Sequence, residues 1–184
     1  MRKLKLQVQM TVDGFMAGPN GEMDWLTFAW DDQLKDYVTA LTTPVDCIVL
    51  GRKLAQGFIP HWAAHPEAEG AATMNGTPKV VFTHTLTHSE WPGTALAQGE
   101  LVAEINQLKQ QPGGDIIAYG GATFVSALIR HGLIDEYHLF VNPVAIGRGL
   151  PIFGELSGTQ PLTLVRAQAF ACGIVVQHYE PKRG

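Results

Sequence analysis

Two places in the sequence share one arrangement: a short apolar run, then glycine, then residues suited to a helix start. They are Ile48-Val-Leu-Gly51-Arg52-Lys53 and Ile117-Ala-Tyr-Gly120-Gly121-Ala122-Thr123. A helix N-terminus presents unpaired N–H groups and the positive end of the helix dipole, and glycine lets an anion approach the backbone. Two such termini at neighbouring strand ends would grip a dinucleotide pyrophosphate from both sides. Either glycine corner alone is better explained by a tight turn. Together, with Arg52 and Lys53 beside one of them, they point to a nucleotide. A third run, Val80 to Thr83, ends in Thr83-His84-Thr85. Hydroxyls and a titratable ring at the C-terminal end of a parallel strand lie where ligands bind in such sheets, although a polar strand end facing water has the same look.

Other chemistries are poorly served. His61 and His65 are four apart, as are His84 and His88. Helical histidines at that spacing can share a metal, but Pro66 and surroundings that read as loop argue against it, and no metal is expected. No Gly-x-Ser-x-Gly elbow occurs, and Cys47 and Cys172 sit in apolar runs that suit reduced, buried thiols. A nucleotide site without a nucleophile favours transfer chemistry carried by the cofactor.

The elements that must position these residues alternate. Leu4 to Thr11 reads as a strand, followed by a glycine-rich loop from Asp13 to Gly21. Asp31 to Leu41 has helical spacing behind an acidic start. Cys47 to Leu50 reads as a buried strand and Arg52 to about Gly57 as a helix, with a loop containing Pro60, Pro66, Gly70 and Gly76. Leu101 to Gln110 is a surface helix, Ile116 to Tyr119 a strand, Thr123 to His131 a helix and Glu136 to Val141 a strand. Leu162 to Phe170 and Ile174 to Tyr179 form an antiparallel hairpin. The expectation is one α/β domain over 1–184, with a mostly parallel sheet and an antiparallel edge.

The chain has 13 basic and 17 acidic side chains, a net charge of −4, and 46% hydrophobic residues. That excludes disorder and argues against nucleic acid as a partner, which would need a basic face. The alternating start is a strand rather than a signal peptide, and no run approaches a membrane span. A cytoplasmic protein acting on a small molecule is expected.

The order of short motifs carries a resemblance. Thr11-Val-Asp-Gly-Phe-Met-Ala-Gly18, Gly21-Glu-Met-Asp-Trp25, Leu50-Gly-Arg-Lys53, Val80-Val-Phe-Thr83 and Tyr119-Gly-Gly-Ala-Thr123 resemble the dihydrofolate reductase superfamily. The nearest branch is the reductase (C-terminal) domain of bifunctional riboflavin-biosynthesis proteins and its stand-alone relatives. Val141-Asn-Pro-Val-Ala-Ile-Gly-Arg-Gly-Leu-Pro-Ile-Phe153 is similar to a segment of that branch, and the likeness runs from about Lys3 to Tyr179. The resemblance implies a dihydrofolate-reductase-like fold with helices on both faces, NADPH as hydride donor, and often a homodimer.

Residue by residue, it makes Asp13 to Trp25, with Ala17, the mobile loop that closes over nicotinamide and substrate. Gly51, Arg52, Lys53, Gly120, Gly121, Ala122 and Thr123 match the phosphate turns, and Thr83 and His84 the place of the adenosine 2′-phosphate. Trp25 and Phe58 are candidate substrate contacts, and Arg148, between Gly147 and Gly149, is one for a ribosyl phosphate or else a solvated turn arginine. Asp31 stands where the family's proton-relaying carboxylate would be, sheltered by Trp25, Trp30 and Phe58 with a raised pKa, or else it caps a helix; Asp13 is the other acid. Thr77 occupies the place of the arginine that grips the folate glutamate, and many relatives have arginine at His84. The function implied is NADPH-dependent reduction of a pyrimidine- or pteridine-like compound, most simply 5-amino-6-(5-phosphoribosylamino)uracil. Reduction of dihydrofolate or another small carbonyl or imine, or a non-catalytic NADPH-binding module, are the alternatives.

Overall fold

The first strand shows how the sheet is made. In β1 (Leu4–Thr11) Leu4, Leu6, Val8 and Met10 are buried on one face, against Ile105 of α4 (Leu101–Gln110) and Val125, Leu128 and Ile129 of α5 (Ala122–Arg130). The other face is covered by α1 (Asp32–Thr42) and α2 (Arg52–Ala64), whose Leu41, Ala55 and Ile59 pack on Ile48, Leu50, Val81 and Ile117. Alternation of period two thus feeds two helical layers, as the fold reading expected. The structure, a computed structural model, describes residues 1–182.

The remaining elements are β2 (Val45–Gly51), α3 (Ala71–Gly76), β3 (Lys79–Phe82), β4 (Thr94–Ala97), β5 (Asp115–Ala118), β6 (Glu136–Asn142), β7 (Leu162–Ala169) and β8 (Val175–Pro181). They form one sheet in the order β4-β3-β2-β5-β1-β6-β8-β7. Pairings from β4 to β6 are parallel, and β8 and β7 add antiparallel strands at the end. The C-terminal ends of β3, β2, β5, β1 and β6 therefore share one edge, and the loops 12–31 and 143–161 lie there.

Three local expectations are corrected. α2 does not stop at Gly57 but runs through Pro60 to Ala64. Proline inside a helix typically costs ~3 kcal/mol; here Ile59 is buried and Phe58 packs edge-on against Trp62 at 6.1 Å, which offsets part of it. The segment read as loop also holds α3. β4 adds a parallel edge strand to β3, with Lys79 beside Thr94 and Phe82 beside Ala97.

Candidate nucleotide site at the sheet edge

β2 and β5 are neighbours in register, Val49 beside Ala118, so both glycine corners leave the sheet side by side. α2 begins at Gly51 and α5 at Gly121, and neither helix has a side-chain cap or an acidic residue in its first turn. The other long helices differ: α1 is capped by Asp31 and carries Asp32, and α4 carries Glu104 in its first turn. Bare N–H groups at two adjacent helix starts give this edge the chemistry that suits an anion.

The glycines there are required. Gly120 and Gly121 have φ of 144° and 81°, which other residues rarely adopt. At Gly51 the need is packing, because a Cβ would stand 2.8 Å from Cβ of Phe124 on α5. The methyl of Met16 lies 2.8 Å from where a Cβ of Gly120 would be, so the first loop reaches this corner. Nothing in the sequence singles out Met16 beyond its being apolar in a glycine-rich loop.

Gly51 pairs with Phe82, which puts the next residues, Arg52 and Thr83, at neighbouring places on the edge. Arg52 is half-buried and donates from Nη1 to Gln56 at 3.3 Å; neither it nor exposed Lys53 is in an ion pair among the described residues. Thr83 is buried, and its Oγ1 accepts from the backbone N–H groups of Thr85 and Leu86, both at 3.1 Å. It shapes its own turn and projects His84, which is exposed. Ala122 is half-buried and Thr123 exposed in the first turn of α5.

The first loop is stitched to the loop after β6. Val12 N–H donates to the Val144 carbonyl at 2.8 Å, and Ala17 and Leu150 form an antiparallel bridge with bonds of 3.0 and 2.8 Å through Met16 and Leu150. Ala17 thus offers the edge a backbone already engaged. Asp13 belongs to the same seam, its carboxylate accepting from Gly147 at 2.7 Å and Ile146 at 3.1 Å. Bonds from the Thr11 hydroxyl first, then from Gly147 and Ile146, hold its pKa below the usual carboxylate range. It is a loop tie, poorly suited to proton donation.

The Asp31 expectation is corrected in the same way. Its Oδ1 accepts from Leu34 N–H at 2.8 Å and its Oδ2 from Cys172 N–H at 2.9 Å. Those bonds, Leu34's first, lower its pKa. The proposed aromatic shelter does not assemble either: Trp30 stacks on Phe140 at 6.1 Å, while Phe58 stacks on Tyr119 at 5.6 Å in a different part of the core. Trp25 is buried with its indole Nε1 unpartnered, an open donor beside the first loop. Arg148 is exposed and in no ion pair among the described residues.

A capping Asp31 gives a definite expectation. Asn caps as well as Asp, so Asp31→Asn should leave helix content and any turnover close to the parent's. Because the folded carboxyl titrates below its unfolded value, its stabilisation is present above the unfolded pKa and lost as pH falls through the folded one. Thermal melts against pH should show a flatter acid limb in Asp31→Asn; a collapse of turnover with the melts unchanged would restore the proton-relay role.

The family profile described as the RibD C-terminal domain matches residues 2–176. The uncharacterized protein YyaP of Bacillus subtilis (strain 168) is 33% identical over 179 residues, covering 95% of this chain and 92% of that protein. Among solved structures, a Shewanella sp. PV-4 protein assigned to riboflavin biosynthesis superposes with a TM-score of 0.79 at 22% identity, over 100% of both chains. A diaminohydroxyphosphoribosylaminopyrimidine deaminase/5-amino-6-(5-phosphoribosylamino)uracil reductase from Thermotoga maritima gives 0.72 at 16% identity, over 98% of this chain and 57% of that one. These two show a shared fold, while the matched profile and the identity to YyaP are what place this chain in the RibD C-terminal domain family.

Proposed function

We propose that the chain is an NADPH-dependent reductase of a small pyrimidine- or pteridine-like compound, most simply 5-amino-6-(5-phosphoribosylamino)uracil. The observation that carries this is the pair of uncapped, acid-free helix starts on adjacent strands β2 and β5. The residues fit the cofactor: Gly51, Gly120 and Gly121 let the pyrophosphate near the N–H groups of α2 and α5, with Ala122 and Thr123 in the second turn start. Arg52, Lys53 and His84 are the cations or donors grouped for a 2′-phosphate around the turn that Thr83 shapes. When bound, NADPH supplies the hydride. Trp25, Met16 and the seam between Ala17 and Leu150 border the substrate side and limit water there, and exposed Arg148 is the cation offered to a substrate phosphate. Asp13 and Asp31 are engaged in holding loops, so neither is assigned the accompanying proton.

Among the described residues no helix is long and apolar enough to cross a membrane, in keeping with a cytoplasmic enzyme. Exposed Leu164 and Val165 on the edge strand β7, 53% and 51% accessible, give apolar surface in keeping with a homodimer.

The cofactor choice is testable through Arg52. A charge-assisted contact contributes ~1.5–3 kcal/mol, so the parent should prefer NADPH over NADH by roughly tenfold or more. Arg52→Ala should lose most of that preference while keeping NADH affinity. Binding titrations with both cofactors decide it, and equal affinities in the parent would remove Arg52 and His84 from the site.

A further inference from the structure

The face of the sheet turned toward α1 carries polar side chains far from the glycine corners. Glu136 and His138 are two apart on β6, so they share this face, and His178 lies directly opposite His138 on β8. Glu136 and His138 are buried, at 8% and 4% accessible. One ligand atom from each of Glu136, His138 and His178 lies within 4.8 Å of the other two. The His138 Nε2 to Glu136 Oε2 distance is 3.4 Å, and the imidazoles stack with centroids 4.2 Å apart. Nε2 of His178 is buried without a protein partner. A cavity of about 660 Å³, lined also by Gln33, Asp36 and Arg166, opens onto the cluster.

We propose that Glu136, His138 and His178 form a binding site for a divalent cation of the zinc class. Two imidazoles and one carboxylate are a borderline-soft donor set, and the cavity leaves a fourth position to water. The site would use the orphaned Nε2 of His178. Tyr37 on α1 completes it, because its hydroxyl, 2.7 Å from Nδ1 of His138, can accept that ring's N–H and leave Nε2 free for the metal. The competitor is Lys3, whose ammonium is 2.5 Å from Glu136. Its side chain is half exposed and also reaches Glu180 at 3.6 Å, so it can withdraw. Lys5 stands farther, 4.0 Å from Glu136, and keeps Asp115 at 2.8 Å. The bound ion would clamp β6 to β8.

His61 on α2 and His65 at its end have rings 4.6 Å apart and are a second place where an added metal could be caught. The test is therefore made in full-length protein carrying His61→Ala and His65→Ala, titrated with Co²⁺ and followed by visible absorption. A saturable tetrahedral band is expected, displaced by Zn²⁺. It should vanish in His178→Gln, weaken by about 10- to 100-fold in affinity in Tyr37→Phe, and strengthen in Lys3→Met. Absence of the band in the His61/His65 background overturns the proposal. So does a band of unchanged affinity in Tyr37→Phe, a variant that keeps the ring and hence the packing if His178→Gln fails to fold.

Discussion

In a titration followed by tryptophan fluorescence, Gly121→Asp protein should show strongly reduced quenching at NADPH concentrations that just saturate the parent. The side chain would set a carboxylate where two bare helix starts converge on the pyrophosphate. Like charges about 4 Å apart repel by ~1 kcal/mol in water and ~4 kcal/mol near a protein surface, a loss of roughly 5- to 1000-fold in affinity. Backbone strain is a separate cost, since Gly121 has φ of 81°. Space is not limiting, because the nearest atom to a new Cβ is 3.5 Å away on Leu54. Gly121→Ala isolates the strain: it should melt at a similar temperature to Gly121→Asp yet retain measurable NADPH binding. A folded Gly121→Asp protein with the parent's affinity would reduce Gly120-Gly121 to a turn.

Dihydrofolate should bind and turn over far worse than the aminouracil ribosylamine. A folate tail ends in carboxylates that need a paired cation where water is excluded. Thr77, at the position the superfamily resemblance gives to an arginine, instead caps α3 by donating to the Thr73 carbonyl at 2.8 Å. The nearby Lys79 is no substitute. It is 4% accessible, and its ammonium points at the carbonyls of Thr77 at 2.8 Å and Asn75 at 3.4 Å. Burial also lowers its pKa. Losing one partner of such a pair costs ~2–5 kcal/mol, roughly 30- to 5000-fold. Competition of each compound for the protein in the presence of NADPH measures the ratio; comparable affinities would refute the reading of Thr77.

Much of this edge was legible because backbone chemistry wrote it. Gly51 and Gly120-Gly121 follow apolar runs and precede helix starts, and that grammar needs no tertiary information. Asp31 illustrates the limit: its type and place suited both a cap and an acid, and only the Leu34 and Cys172 N–H groups around it decided for the cap. Gly57 and Pro60 are local breakers that hide the second half of α2 in the sequence, while the packing of Phe58 on Tyr119 that carries the helix onward is a contact 61 residues away in sequence. β4, Thr-Ala-Leu-Ala, has little intrinsic strand preference and exists by pairing with β3. The Glu136, His138 and His178 cluster was invisible for a related reason, since its members meet only through the β6 and β8 register.

Hydride transfer from NADPH is measured directly by NADPH absorbance on mixing the protein with 5-amino-6-(5-phosphoribosylamino)uracil. Oxidation that requires protein and substrate together is expected, with a product heavier by the added hydrogens. NADPH that binds yet is never oxidised, with this compound or with any related pyrimidine or pteridine, would contradict it and leave a nucleotide-binding module.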